Sequence, residues 1–352
     1  MHIKRISHVI ISAMTNSNRI KSIDISKCLL ILLVLIGHRT GGQLHSLIYS
    51  FHMPAFYILS GIVMKKRSKS IDKTLIYYLF FSLILILYEI VINIINLNTI
   101  VIYNVFTMTY ITVVLYGIEE LWFLGSLMIG KQIVNQIEKI NNTIIKTLII
   151  VLLYAISMKS TNYLNLFMLD TVFEQCAFYA INSILRAFYI SVYIFIGYEL
   201  KKYFLKFCNT MENNMFFSFL SLIISIVVLA CFIPNQMIDI HLLSYGDVGL
   251  NIISSIIGLI SVLSLSTILS KSQFNNYFCW AGSNTIFIMF LEYFKLDKYI
   301  RLILHINNQM LSNVITYALY LLIINIFIKF ITPVINKIID NAYKKWLNTF
   351  SH

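Results

Sequence analysis

Apolar runs of about twenty residues follow one another from residue 24 to residue 332, joined by short links. Few folds accommodate such a pattern, because each run is long enough to cross the ~30 Å hydrocarbon core of a bilayer as a helix. Only 12% of the residues are charged and 59% are apolar, against about a quarter charged in an average soluble domain. Outer-membrane strands would alternate apolar and polar residues over segments of about ten instead. The reading is an all-α, polytopic integral membrane protein with about ten transmembrane helices. They are expected at residues 24–43, 47–64, 74–96, 119–137, 143–160, 177–200, 215–234, 248–270, 277–295 and 311–332. Residues 98–117 are apolar enough for a further span, yet their threonines, asparagine and terminal glycine equally permit a re-entrant or interfacial segment.

Charge placement orients these runs. Lysines and arginines cluster before the first, after the second, around the fourth-to-fifth link, and after the sixth, eighth and tenth, while residues 97–118 hold none. The positive-inside rule then puts both termini in the cytoplasm. A leader is expected at residues 1–22, a transmembrane domain at 23–332 and a cytoplasmic tail at 333–352. The net charge of +12 is accounted for by these clusters, so no nucleic-acid partner is expected. Cys28, Cys176, Cys208, Cys231 and Cys279 are scattered without CxxC spacing, and neither a disulfide nor a metal site is expected.

Within this pattern the stretch 22–64 stands out, because each of its two apolar segments carries a histidine. His38 is about fifteen residues into the first, roughly 21 Å along a helix. His52 is early in the returning one, so both lie at a similar depth. By the same reckoning Glu119 and Glu120 at the start of the fourth span, Arg186 in the sixth and Glu292 in the ninth reach that level. Isolated charges within a bilayer are costly, and the least costly arrangement is a shared polar cavity. Trp122 beside Glu120 belongs with it. Pro54 is expected to kink the second helix. At the opposite end, Asp24 and Lys27 are spaced for a local pair.

A histidine near acids suits removal of a proton from a hydroxyl that attacks an activated carbonyl. An arginine suits binding an anionic donor or stabilising developing charge. HExxH, GxSxG and Walker sequences are absent, which removes the metallopeptidase, serine hydrolase and P-loop readings. The residues alone leave open an acyl-transfer enzyme or a transporter of a small metabolite or glycolipid with protonatable side chains.

Several motifs occur in order: IDISK at 23–27, VLIGH at 34–38, SFHMPAFYILSG at 50–61, ELWFLGSL at 120–127, Arg186 followed by IFIGY at 194–198, and GSNTIFIMF at 282–290. Together they resemble the membrane acyltransferase 3 family, in its fucose-acetylase-like, polysaccharide O-acetylating branch. The resemblance implies transfer of an acetyl or related group from acyl-CoA, without a metal, to a sugar hydroxyl of a polysaccharide or its lipid-linked precursor. It also implies an inner (cytoplasmic) membrane location, polysaccharide-assembly proteins as partners, and an essential residue at His38; with the last run ending near residue 332, no fused extracytoplasmic domain of the sort some relatives carry is expected. On this reading His38 is the general base polarised by an acid such as Glu120, with Glu119 as the alternative, and Arg186 binds donor or stabilises an oxyanion. His52, Trp122, Asn284 and Glu292 shape the acceptor cavity. Asp24, Lys27, Lys65, Lys66, Arg67 and Lys73 flank the donor. The chain departs from the family pattern where Lys73 stands without a nearby proline, and where Glu292 occupies a position often held by histidine.

Overall fold

With three prolines in 352 residues, little interrupts helix propagation, and the computed structural model is all-α. It describes residues 20–65, 73–96, 101–164, 171–232, 237–304 and 309–349. Helix α1 (Lys21–Gly37) leads through the short α2 (Gly42–Tyr49) into α3 (His52–Val63). Then come α4 (Lys73–Ile95), α5 (Val101–Val113), a 3₁₀ turn at Glu119–Leu121, α6 (Trp122–Ile137), α7 (Thr143–Leu164) and α8 (Val172–Glu199). The remainder runs through α9 (Lys201–Asn213), α10 (Met215–Phe232), α11 (Val248–Ser270), α12 (Asn275–Ser283), α13 (Thr285–Glu292), α14 (Leu296–Leu304), α15 (Gln309–Phe330) and α16 (Thr332–Thr349).

The chain is a polytopic α-helical membrane protein, but the expectation of ten spans is corrected. Among the described residues five helices are long and apolar enough to cross a membrane: Gly42–Val63, Lys73–Ile95, Thr143–Thr161, Val172–Glu199 and Gly249–Ser270. The pair Ile315–Phe330 and Thr332–Trp346, bent by 45°, makes six if it is one span. The reason is continuity. Helix α1 has 17 residues, α6 has 16, and the apolar run at 277–295 is broken at Asn284 into helices of 9 and 8. Such pieces fall short of the ~20 residues a crossing needs, and short helices at membrane depth are tolerated where protein covers them. The ambiguous stretch 98–117 holds the 13-residue α5, about 20 Å long at 1.5 Å per residue and therefore too short to span. The leader through residue 19 lies outside the described residues.

Burial separates lipid-facing from interior helices. Leu79, Leu83, Leu87 and Val91 recur every four residues on α4 and are each about half exposed, while Tyr78, Phe81 and Leu85 on its other side are buried. That i,i+4 stripe is what a helix between protein and acyl chains requires. Helix α1 is instead an interior element, packed against α3, α11 and α12, with Ile25, Leu30 and Ile31 all but inaccessible. Pro54 lies in the first turn of α3, where a missing N–H costs little. The interruption falls just before it, where Phe51 leaves helical geometry (φ −147°).

Helices α3 and α8 approach backbone to backbone through two glycines. A Cβ added at Gly61 would sit 2.1 Å from the Ile194 carbonyl oxygen, and one at Gly197 would sit 2.0 Å from that of Ile58. Neither obstacle is a side chain that can swing away. Gly61→Ala is therefore expected to lower the thermal midpoint in detergent, by a free energy at or above the ~1–3 kcal/mol typical of overpacking. Gly41→Ala, whose Cβ meets nothing within 4 Å, should leave the midpoint in place. Equal midpoints for the two variants would contradict the close approach.

Candidate active site

His38 caps the C-terminal end of α1, and its position follows from the helix stopping at Gly37. The α1–α2 turn supplies Arg39 and α13 supplies Glu292, the carboxylate that His38 and Arg39 share. Its Nδ1 lies 3.3 Å from Oε1 of Glu292. Arg39 holds the same carboxylate with both guanidinium nitrogens, Nη1 to Oε1 at 2.6 Å and Nη2 to Oε2 at 3.1 Å. Arg39 also donates to Asp297 at 3.2 Å and to the Leu35 carbonyl at 3.0 Å, and it lies over the Tyr320 ring at 4.5 Å. The Tyr320 hydroxyl donates to Glu292 Oε2. Glu292 is thus a buried carboxylate with Arg39 as counter-ion, and a proton on His38 Nδ1 is donated to it. In that tautomer Nε2 of His38 is the acceptor nitrogen. This is the histidine–carboxylate arrangement that orients an imidazole as a base and steadies the imidazolium it becomes.

The ring opens on a cavity of about 140 Å³, lined among others by Tyr49, His52, Glu119, Glu120, Trp122, Asp239, His241 and Met289. His52, 2% exposed, donates from Nδ1 to the Ile48 carbonyl at 2.8 Å, which leaves its Nε2 as an acceptor. Oε2 of Glu120 is buried without a hydrogen-bond partner among the described residues. The segment leading to α11 forms one wall. Its Asp239 and Ser244 exchange backbone hydrogen bonds at 2.8 Å, and Ile238 N–H donates to the Tyr49 carbonyl at 3.2 Å. Burial, with the Arg186 guanidinium nearby, pushes the His241 imidazole down to about 4, so at neutral pH that ring adds no positive charge to the cavity.

Several expectations change here. The carboxylate on His38 is Glu292, not Glu120, because the break at Asn284 turns α13 so that its last residue meets the end of α1. Glu120 remains in the cavity wall. Arg186 does not line the cavity. It is fully buried on α8, donating to the Tyr116 carbonyl at 3.2 Å and the His241 carbonyl at 2.6 Å, with the Tyr116 ring 4.2 Å and the Trp122 ring 5.4 Å away. A cation so engaged clamps the cavity's walls. Asn284 turns inward at the α12–α13 break and donates to the Trp280 carbonyl at 2.7 Å, away from the cavity. Arg39 and His241 were not foreseen. The signal for Arg39 was its place directly after His38 at the end of an apolar run; nothing local marked His241.

At the other end of α1 lies a larger cavity of about 620 Å³, into which Asp24, Lys27, Lys65, Lys131 and Lys201 face. Lys27 pairs with Asp24 at 3.1 Å, and Lys201 donates to the Met64 carbonyl at 3.2 Å. Met289 lines both cavities. Lys27 and His38, eleven residues apart on α1, are separated by about 16 Å of helix rise. Lys73 is elsewhere, in an exposed pair with Asp340 at 2.6 Å. Lys66 and Arg67 lie outside the described residues.

No family model, no curated protein and no solved structure matches the chain. Among the described residues no group of three or more His, Cys, Asp or Glu side chains is placed to hold a metal ion.

Proposed function

We propose that the protein is a membrane O-acyltransferase that moves an acetyl or related acyl group from acyl-CoA to a hydroxyl of a cell-surface glycan or its lipid-linked precursor. The observation that carries this reading is the His38–Glu292–Arg39 arrangement, open on a small polar cavity that shares Met289 with a lysine-lined one. His38 Nε2 takes the proton from the acceptor hydroxyl as its oxygen attacks the thioester carbonyl. The new C–O bond forms, the C–S bond breaks, and the proton passes from the imidazolium to the departing thiolate. Glu292 steadies the imidazolium, and Arg39 holds Glu292 in place. The lysine cavity suits the phosphates of coenzyme A, whose flexible arm points past Met289 toward His38. Arg186 acts as a positioning residue by holding the His241 segment. The motif order that resembles the membrane acyltransferase 3 family points the same way, and the reading would place the protein in the inner membrane beside polysaccharide-assembly proteins.

The test in cells is mass spectrometry of surface glycans from deletion and complemented strains. A loss of one acyl mass per repeat on deletion, restored by the wild type and not by His38→Ala, is expected. Identical glycans would contradict the reading.

The donor side gives a separate prediction. Lys65→Gln with Lys201→Gln is expected to raise KM for acyl-CoA about fivefold or more and to change kcat far less, because charges at an entrance act mainly on capture. KM of the wild type should also rise with ionic strength. A KM insensitive to both would place the donor elsewhere.

A further inference from the structure

The cavity facing His38 is rich in hydrogen-bond acceptors and poor in positive charge. Glu119, Glu120 and Asp239 bring three carboxylates to its wall. Asp239 spends one oxygen on the Leu242 N–H at 3.1 Å, whereas Oε2 of Glu120 is buried with no partner among the described residues. His52 points the same way independently. It is 2% exposed, its Nδ1 proton is committed to the Ile48 carbonyl, and the nitrogen left over can only accept. Both nearby arginines are engaged elsewhere, Arg39 on Glu292 and Asp297, Arg186 on two carbonyls.

A buried acceptor without a donor, as Oε2 of Glu120 is, is costly, and a ligand rich in O–H groups supplies a donor to it and a second to the His52 nitrogen that Ile48 leaves free. A carboxylate or phosphate group offers them no donor and is repelled by the carboxylates of the wall. At about 140 Å³ the cavity is smaller than the ~300–1,000 Å³ that encloses a drug-sized ligand, so one ring enters and the rest of the glycan stays outside.

Resting on the acyltransferase reading for its setting, we propose that the sugar ring presented to His38 is uncharged and polyhydroxylated, held by hydroxyls that donate to Glu120 and His52. A ring bearing a carboxylate or phosphate is turned away.

The test is binding, measured by saturation-transfer NMR on the full chain in lipid nanodiscs without donor. Methyl glycosides of glucose, galactose and mannose are each compared with the matching uronide. At least one neutral glycoside should bind, about tenfold or more tighter than its uronide, a ratio equal to one decade in Kd. Glu120→Gln should narrow that ratio at least about threefold, since one of three repelling carboxylates is gone. Uronides that bind as well as their neutral partners, or six sugars that all fail to bind, would overturn the proposal. Addition of acetyl-CoA then separates the two ideas. Selective binding of neutral sugars with no ester formed would leave the acceptor preference standing and remove the acyltransferase reading.

Discussion

Replacing His38 by alanine is expected to lower acyl transfer by about 10²–10⁴-fold, the usual contribution of a positioned general base, while the protein still inserts and folds. The side chain is about one-third exposed to the cavity and caps a helix whose buried residues lie elsewhere, so little packing is lost. Its Nδ1 contact to Glu292 at 3.3 Å is the weakest of the carboxylate's bonds, and Arg39 and Tyr320 keep Glu292 satisfied without it. The loss should therefore fall on kcat with KM for acyl-CoA nearly unchanged, as for an interaction made in the transition state. Transfer within about threefold of wild type would exclude His38 from proton removal.

The second large effect concerns Glu292 and Arg39 as a pair. Their side chains are 6% and 9% exposed, and removing one partner of a buried ion pair commonly costs about 3–5 kcal/mol because the other charge is stranded. Glu292→Leu leaves Arg39 with Asp297 as its remaining carboxylate among the described residues, and Arg39→Met leaves Glu292 with the His38 imidazole and the Tyr320 phenol. Each single variant is expected to lose thermal stability and nearly all activity. The double variant Arg39→Met/Glu292→Leu should recover much of the stability, since an apolar pair of similar size can replace a buried ion pair at small cost. Its activity should stay about 10²-fold or more below wild type, because His38 has lost the group that orients it. Recovery of both properties would make the pair purely architectural. Recovery of neither would indicate that Asp297 and Tyr320 are stranded as well.

Composition and run length made the membrane setting and the helical class legible, and the reversal between His38 and His52 placed two imidazoles at one level. The number of crossings was not legible, because hydropathy reads the polarity of a run and is blind to whether its helix is continuous. Gly37 ends α1, the 3₁₀ turn at Glu119–Leu121 shortens α6, and Asn284 divides α12 from α13, each inside a stretch that average hydropathy reads as one run. The same break at Asn284 decides the site, since it aims Glu292 at His38. Glu120, equally close in estimated depth, meets no imidazole. Arg186 shows the opposite error. A buried arginine in a membrane invites a ligand, yet backbone carbonyls from two links take both of its terminal nitrogens, and carbonyl positions leave no trace in side-chain pattern. His241 reaches the cavity only through the fold of a link between helices.

The most direct measurement is the stoichiometry of thiol release and ester formation by the purified protein in lipid nanodiscs, supplied with labelled acetyl-CoA and a glycan acceptor. One free thiol per acetyl ester is predicted, with both products dependent on acceptor and both lost in His38→Ala. Movement of sugar or metabolite across the bilayer with neither thiol nor ester produced would contradict acyl transfer and establish a transporter instead.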